Sequence, residues 1–276
     1  VTTSPSAPSR SRVRIGTAGW SIAGKHAHLF GEGETLLARY ATRLSVVEIN
    51  SSFYRPHQRK TYERWAASVP ADFRFSTKLP QTISHELALR AAAAPLDRFL
   101  EEVQGLGRKL GGLLLQLPPS LAFDARTVST FLRMLRRRTD LPLVCEPRHA
   151  SWFTAKASDL LAEHAVARAA ADPARVPEAA LPGAAPHWRY WRWHGSPRIY
   201  YSDYPHDALQ ALAAEVAQAR RGGGQRWVIF DNTAHGFATP NALDLQALLA
   251  ASRKPPGARA PSADSAKRAQ ARQRNR

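Results

Sequence analysis

A single cysteine, Cys145, among 276 residues leaves no partner for an internal disulfide, which removes the disulfide-stapled secreted scaffolds. No stretch of 18 apolar residues occurs, so no membrane-spanning helix and no membrane partner are expected. Val1–Arg12 is rich in Ser, Pro and Arg and lacks an apolar centre, so it does not read as a secretory signal. These absences point to a cytoplasmic protein. Acids are also scarce, with 22 Asp and Glu against 39 Lys and Arg, for a formal net charge of +17.

That charge is unevenly placed. Residues 1–14 hold three arginines, and residues 251–276 hold eight Lys and Arg against Asp264 alone, so the stretch between carries a net charge of +7. Neither end shows apolar periodicity. Residues 1–12 are therefore expected to be a disordered arm, 13–251 a folded domain and 252–276 a disordered basic tail. Such a tail offers RNA or DNA a non-specific hold through counterion release, although a solubilising role needs no partner.

Eight short apolar runs end in polar residues: 12–16, 46–50, 73–78, 112–117, 141–149, 167–172, 188–194 and 226–232. Most are apolar on both faces, as strands covered on two sides must be. Helical spacing separates them. Leu36, Leu37, Tyr40 and Leu44 share a face, as do Tyr62, Trp65, Ala66 and Val69. Further stripes are Leu96, Phe99, Leu100, Val103 and Leu106 after Pro95; Val128, Phe131, Leu132 and Leu135 after Asp124 as N-cap; Leu160 and Leu161; and Leu209, Leu212, Ala213 and Val216. The last helix is expected to open at Thr239–Pro240. Eight strand–helix alternations predict an α/β fold, a single (β/α)8 TIM-type barrel. Residues 173–187 contain four prolines, which predicts a loop where the sixth helix would lie.

In such a barrel the working residues gather at the carboxyl ends of the strands. Alternation assigns Glu48, Asn50, Lys78, Gln116, Glu146, Arg148, Asp172, Arg192, His194 and Asn232 to the barrel mouth. The intervening Val47, Ile49, Phe73, Phe75, Leu113, Leu115, Trp191, Trp193 and Cys145 are left to pack under the helices. Ten polar residues converging in one place favour a pocket over simple core filling, because each needs partners to offset desolvation. Three acids, Glu48, Glu146 and Asp172, face three bases, Lys78, Arg148 and Arg192, so an internal ion-pair network is the alternative. The bases suit an anionic ligand group. Trp20, Phe53, Tyr54, Trp152, Tyr200, Tyr201 and Tyr204 follow strand ends closely and suit a sugar ring or a base. No cofactor is implied, although Glu146, His149, Asp172 and His194 leave a divalent metal open.

Gly16-Thr17-Ala18-Gly19-Trp20 and Val47-Glu48-Ile49-Asn50-Ser51-Ser52-Phe53-Tyr54 resemble the opening of the YecE-like family, domain of unknown function 72. Phe75 to Lys78, Ile83-Ser84-His85, Gln116-Leu117-Pro118-Pro119, Glu146-Pro147-Arg148-His149 with Ser151-Trp152, Arg192 with His194-Gly195, and Asn232 with Asn241-Ala242 continue the resemblance over roughly residues 13–250. Pro147 and Ser84 depart from the family pattern. The resemblance implies a barrel but no established reaction. It also implies a likeness in shape to the metal-dependent endonuclease IV barrels, which concerns fold and not chemistry.

Two functions follow as expectations. The first is an enzyme of hydrolase or isomerase class, acting on a small polar or anionic sugar or nucleotide derivative. Glu146 or Glu48 would be its general base and His194 or His149 its proton exchanger, with Asp172 among the catalytic set. Trp20, Asn50, Tyr54, Lys78, His85, Gln116, Arg148, Trp152, Arg192, Tyr201 and Asn232 would hold the substrate. The alternative, resting on the basic tails, the residual positive charge and the implied likeness to endonuclease IV barrels, is a nucleic-acid-binding or processing protein, metal-dependent if the likeness extends so far.

Overall fold

The computed structural model describes residues 13–219 and 224–252. The expected arm, residues 1–12, and the tail beyond residue 252 lie outside the described residues.

Ten strands form one sheet. They are β1 (Val13–Ala18), β2 (Val46–Ile49), β3 (Arg74–Lys78), β4 (Leu110–Gln116), β5 (Leu143–Glu146), β6 (Val166–Arg168), β7 (Ala170–Asp172), β8 (Gly183–Ala184), β9 (Trp188–Trp193) and β10 (Gln225–Phe230). Their order is β7-β9-β10-β1-β2-β3-β4-β5-β6-β8, and all pairs are parallel except β6 with β8. The result is a nearly closed barrel. Its sixth stave, expected as one strand, is two short strands that pair with different neighbours, β6 with β5 and β7 with β9, both in parallel. The change of partner falls at Ala169, whose N–H donates to the Cys145 carbonyl at 2.9 Å. The covalent chain thus bridges a seam that no hydrogen-bond ladder closes.

The helices are α1 (Leu36–Ala41), α2 (Ser51–Tyr54), α3 (Arg59–Ala67), α4 (Ala93–Val103), α5 (Ala125–Arg136), α6 (Ala155–Glu163), α7 (His206–Gln218) and α8 (Ala238–Ala251). Asp124 caps α5 as expected, accepting the Thr127 N–H at 2.8 Å, and Thr35 and Thr154 cap α1 and α6 in the same way. Between β7 and β9 the chain forms only a 3-10 turn at Pro177–Ala180 and the short β8; no regular sixth helix forms. At α8 the expected start is corrected. Phe237 precedes the helix, Thr239 is buried in the first turn, and Pro240 occupies a position whose missing N–H is unpaired in any helix.

Two apolar layers hold the barrel. The outer one lies between sheet and helices and includes Val47, Ile49, Phe73, Phe75, Leu113, Leu115, Cys145 and Trp191. Burial pushes the Cys145 thiol pKa up, in keeping with a packing role. The inner layer is Val46, Leu114, Val144, Ala167, Ala169, Trp188, Tyr190, Trp227 and Ile229. Trp188 and Trp227 meet edge to face, 5.1 Å apart, and Tyr190 packs on both. Along β9 the residues Trp188, Tyr190 and Arg192 share a face, so an aromatic floor lies beneath a charged upper layer.

Gly111 and Gly112 make room for that floor. A Cβ on Gly112 would fall 2.5 Å from the Trp188 ring and 2.8 Å from the Pro142 carbonyl, and one on Gly111 would fall 2.4 Å from Trp227. Gly112→Ala should therefore lower stability by about 1–3 kcal/mol through overpacking. Urea unfolding checks this: the midpoint should fall with an unchanged slope.

Candidate functional site

The upper layer is built around Arg192. β9 carries it into the barrel one step above Tyr190, and the side chain is fully buried. Its Nε and Nη2 donate to the two oxygens of Glu48 at 3.0 and 2.6 Å, a bidentate pair. Nη1 donates to Glu146, and Nη2 also reaches Asp231 at 3.2 Å. Tyr190 donates to Glu48 at 2.9 Å. Three carboxylates from β2, β5 and the end of β10 thus share one guanidinium.

His194 completes the arrangement. Its Nδ1 lies 3.0 Å from Asp231 and its Nε2 3.3 Å from Glu146. Burial works against charge on this ring, but Glu146 and a hydrogen bond to Asp231 outweigh it and raise its pKa. When protonated, the ring is placed to donate to Asp231 from Nδ1 and to Glu146 from Nε2. Burial likewise opposes ionisation of Glu146, yet Arg192, His194 and Arg148 hold its carboxyl well below the usual range. Asp231 is lowered too, its hydrogen bond with His194 and the field of Arg192 overcoming burial. Arg192 is raised for the reciprocal reason, its three carboxylates outweighing burial.

Two further cations rim this core. Arg148, with a side chain 20% exposed, donates from Nε to Glu146 at 3.0 Å. Lys78, 5% exposed, donates to the amide oxygen of Gln116 at 2.7 Å and stands 3.9 Å above the Phe53 ring. Burial, then the charge on Arg192, push the Lys78 pKa down to about 8. His85 packs edge-on to the same Phe53 ring at 4.9 Å and hydrogen-bonds Ser84 at 2.8 Å. Beside the mouth, a groove of ≈ 280 Å³ runs between Thr17–Ala23, after β1, and Thr233–Thr239, which leads into α8. A larger cleft of ≈ 430 Å³ lies between α2 and α4, and its lining includes Phe53, on whose ring Lys78 stands.

Seven of the ten polar residues assigned to the mouth meet there: Glu48, Lys78, Gln116, Glu146, Arg148, Arg192 and His194. Three do not. Asp172 accepts the Tyr204 hydroxyl at 2.7 Å, and Asn232 donates to Asn241 at 2.8 Å and to the Ser202 carbonyl at 3.0 Å. Both have the parity opposite to the inward residues of their strands, Ala167 and Ala169 in one case and Trp227 and Ile229 in the other. Asn50 begins the turn into α2, its carbonyl accepting the Phe53 N–H. The third acid is instead Asp231, next along the inward face after Ile229, and that parity was its only sequence signal.

The other sequence candidates scatter. His149 precedes a short 3-10 turn (Ala150–Phe153) and accepts the Ser151 N–H. Trp152 is buried, donating to the Leu121 carbonyl at 2.9 Å, and is a core residue. Trp20 packs edge-on to Trp65 against the outer layer. Tyr54 is 70% exposed, and Tyr201 lies under Arg198 and beside His235. Of the four metal-ligand candidates only Glu146 and His194 are in contact, and no group of three or more His, Cys, Asp or Glu among the described residues is arranged to hold a metal ion. Among the described residues no helix is long and apolar enough to cross a membrane.

Fold and mouth together define a (β/α) barrel of TIM type with a buried ionic network at the carboxyl ends of its strands. The chain belongs to the DUF72 family: the model of this protein family of unknown function matches residues 14–266. It is 35% identical to the UPF0759 protein YecE of Escherichia coli K12 over 106 residues, a stretch covering 38% of each chain. It is 26% identical to the UPF0759 protein YunF of Bacillus subtilis 168 over 152 residues, 51% of this chain and 52% of that one. These matches thus span about two fifths to one half of the relatives' length. Among solved structures, a DUF72 protein of Enterococcus faecalis V583 superposes with a TM-score of 0.75 at 24% identity, covering 87% of this chain and 96% of that one. One from Thermotoga maritima MSB8 superposes with a TM-score of 0.72 at 24% identity, over 86% and 99%. At that identity the likeness concerns the fold.

Two measurements test the network. Arg192→Met should destabilise the protein by about 3–5 kcal/mol, because it leaves buried carboxylates without their counter-ion; calorimetry or denaturant unfolding reads the loss. The pKa of His194 is raised on folding, so its stabilisation is complete below the unfolded value of about 6.5 and is lost as pH climbs through the folded value. The stability gap between the parent and His194→Asn should therefore narrow as pH is raised from about 6 towards 9. A gap that widens with pH would mean that the ring is neutral.

Proposed function

We propose that the protein is an enzyme acting on a small anionic substrate at the barrel mouth, with Arg148 and Lys78 gripping the anion and His194 moving the proton. The observation that carries this reading is the charge balance of the mouth. Arg192, Arg148, Lys78 and the His194 ring, whose pKa is raised, face three carboxylates, Glu48, Glu146 and Asp231. With His194 protonated, one positive charge is left over where little water is present to screen it. A ligand carboxylate or phosphate would neutralise it.

The roles expected of the acids shift under this reading. Glu48 is bound on both oxygens by Arg192 and Tyr190, and Glu146 by Arg192, Arg148 and His194. Each accepts three donors, two or more of them cationic, so protonating either would weaken the pairs that hold Arg192. They are better suited to hold Arg192 and to keep His194 charged. His194 then acts as the acid, and its conjugate neutral form as the base. The alternative nucleic-acid reading rests on the basic tails, which lie outside the described residues.

Thermal shift with a panel of small carboxylates, sugar phosphates and nucleotides tests the anion site. At 100 times its dissociation constant a true ligand adds about 2.7 kcal/mol of stability, which for a domain of this size raises Tm by roughly 5–10 °C. Arg148→Met should abolish that shift. Equal shifts with neutral polyols, or an undiminished shift in Arg148→Met, would remove the anion grip from the reading.

A further inference from the structure

Lys78 differs from every other cation of the mouth. Arg192 has three carboxylate partners, Arg148 has Glu146, and His194 has two carboxylates. Among the described residues, no carboxylate forms an ion pair with Lys78. Its amine meets one neutral oxygen, that of Gln116, and the face of the Phe53 ring. Its position is nonetheless fixed: the Ser52 hydroxyl donates to the Lys78 carbonyl at 2.7 Å, and β3 pairs Lys78 with Leu114 of β4. A methionine would fill this apolar niche without the cost of burying an amine. A lysine held on an aromatic face, close to a second cation and without a counter-ion, is instead in the surroundings that yield a nucleophilic neutral amine.

We propose that Lys78 is a catalytic nucleophile that forms an imine with a small aldehyde or ketone carrying an acidic group. This deepens the anionic-substrate reading, on which it rests: the protonated amine, the main form near neutral pH, helps draw the anion in, the smaller neutral fraction attacks, and the iminium restores the positive charge. It narrows the substrate class to carbonyl acids and carbonyl phosphates. The lone pair on Nζ forms a bond to the carbonyl carbon while the π pair moves to oxygen. Transfer of the amine proton to that oxygen gives a carbinolamine. The carbinolamine hydroxyl then takes a proton from solvent and leaves as water, as the nitrogen lone pair closes the C=N bond. The products are a cationic iminium on Lys78 and water. Glu48, Glu146 and Asp231, whose fields reach Lys78, stabilise the cation so formed, and Arg192 opposes it. Depression of the amine towards a pKa of about 8 leaves a usable fraction unprotonated near neutral pH, where a free lysine has almost none.

The test treats the full chain with glyoxylate, pyruvate or glyceraldehyde 3-phosphate and sodium borohydride at pH 8, followed by intact-mass analysis and peptide mapping. The expected result is one reduced adduct on the peptide containing Lys78, at least tenfold above any other lysine, and its loss in Lys78→Arg. Lactate and glycerol 3-phosphate, which are anionic but have no carbonyl, are run in parallel by thermal shift. If they raise Tm and no carbonyl compound is trapped at Lys78, the anion site stands and the imine proposal is overturned. If no anion shifts Tm and nothing is trapped, both fall. Labelling spread evenly over surface lysines also overturns the proposal, and this readout on the parent protein does not depend on whether any variant folds.

Discussion

The bidentate pairing of Arg192 with Glu48 is the contact around which the rest of the mouth is arranged. A guanidinium wholly out of water is tolerable only when its donors are met, and here four of its hydrogen bonds end on carboxylates from three different strands or strand ends. Arg192 in turn favours the ionised forms of Glu146 and Asp231. The network therefore forms as a unit, and it ties β2, β5, β9 and β10 together across the barrel interior, where the sheet hydrogen bonds do not reach.

That tie matters because the sheet does not close by pairing alone. β6 and β7 divide the sixth stave between two neighbours, and the seam between β6 and β9 is bridged only by the chain through Ala169. Two things span it from within. The aromatic floor of Trp188, Tyr190 and Trp227 packs against Val144 and Ala167, and above it Arg192 of β9 joins Glu146 of β5 across the gap. Apolar packing supplies the bulk of the cohesion and the ion pairs supply direction. Placement of the acids over an indole floor also lowers the local dielectric, which strengthens every charge interaction in the mouth.

Most of this architecture is legible in residue order. Strand–helix alternation marks the barrel, and the prolines of residues 173–187 mark the missing helix. The parity of Glu48, Lys78, Gln116, Glu146 and Arg192 puts them on one face, because a parallel strand buried on both sides still alternates strictly. The errors come from strands whose parity had to be anchored locally. On β10 the inward residues are Trp227 and Ile229, so Asp231 continues that face and Asn232 does not. A tryptophan filling a barrel interior looks in sequence like one packed under a helix, and the two assignments differ by one residue. Asp172 fails for the same reason, compounded by the change of partner at Ala169. Trp152 shows a different limit: its distance along the chain from a strand end is that of a rim residue, but the short turn after His149 folds it back onto Leu121 and Phe123. Tertiary return of this kind leaves no periodic trace.

The division of labour within the mouth follows from the same energetics. Arg192, with donors on three carboxylates, is a fixed electrostatic element. In the proposed reading, chemistry falls to groups whose charge is held less firmly. Two carboxylates favour the charged form of His194. Lys78 is held back from protonation by its apolar niche and by Arg192 itself. One buried guanidinium thus has two effects of opposite sign: it favours the ionised forms of Glu146 and Asp231, which in turn favour the charged form of His194, and it disfavours the charged form of the neighbouring Lys78 amine. Under the proposed imine step the second effect is the one that matters, because it frees an amine lone pair within the same ionic site.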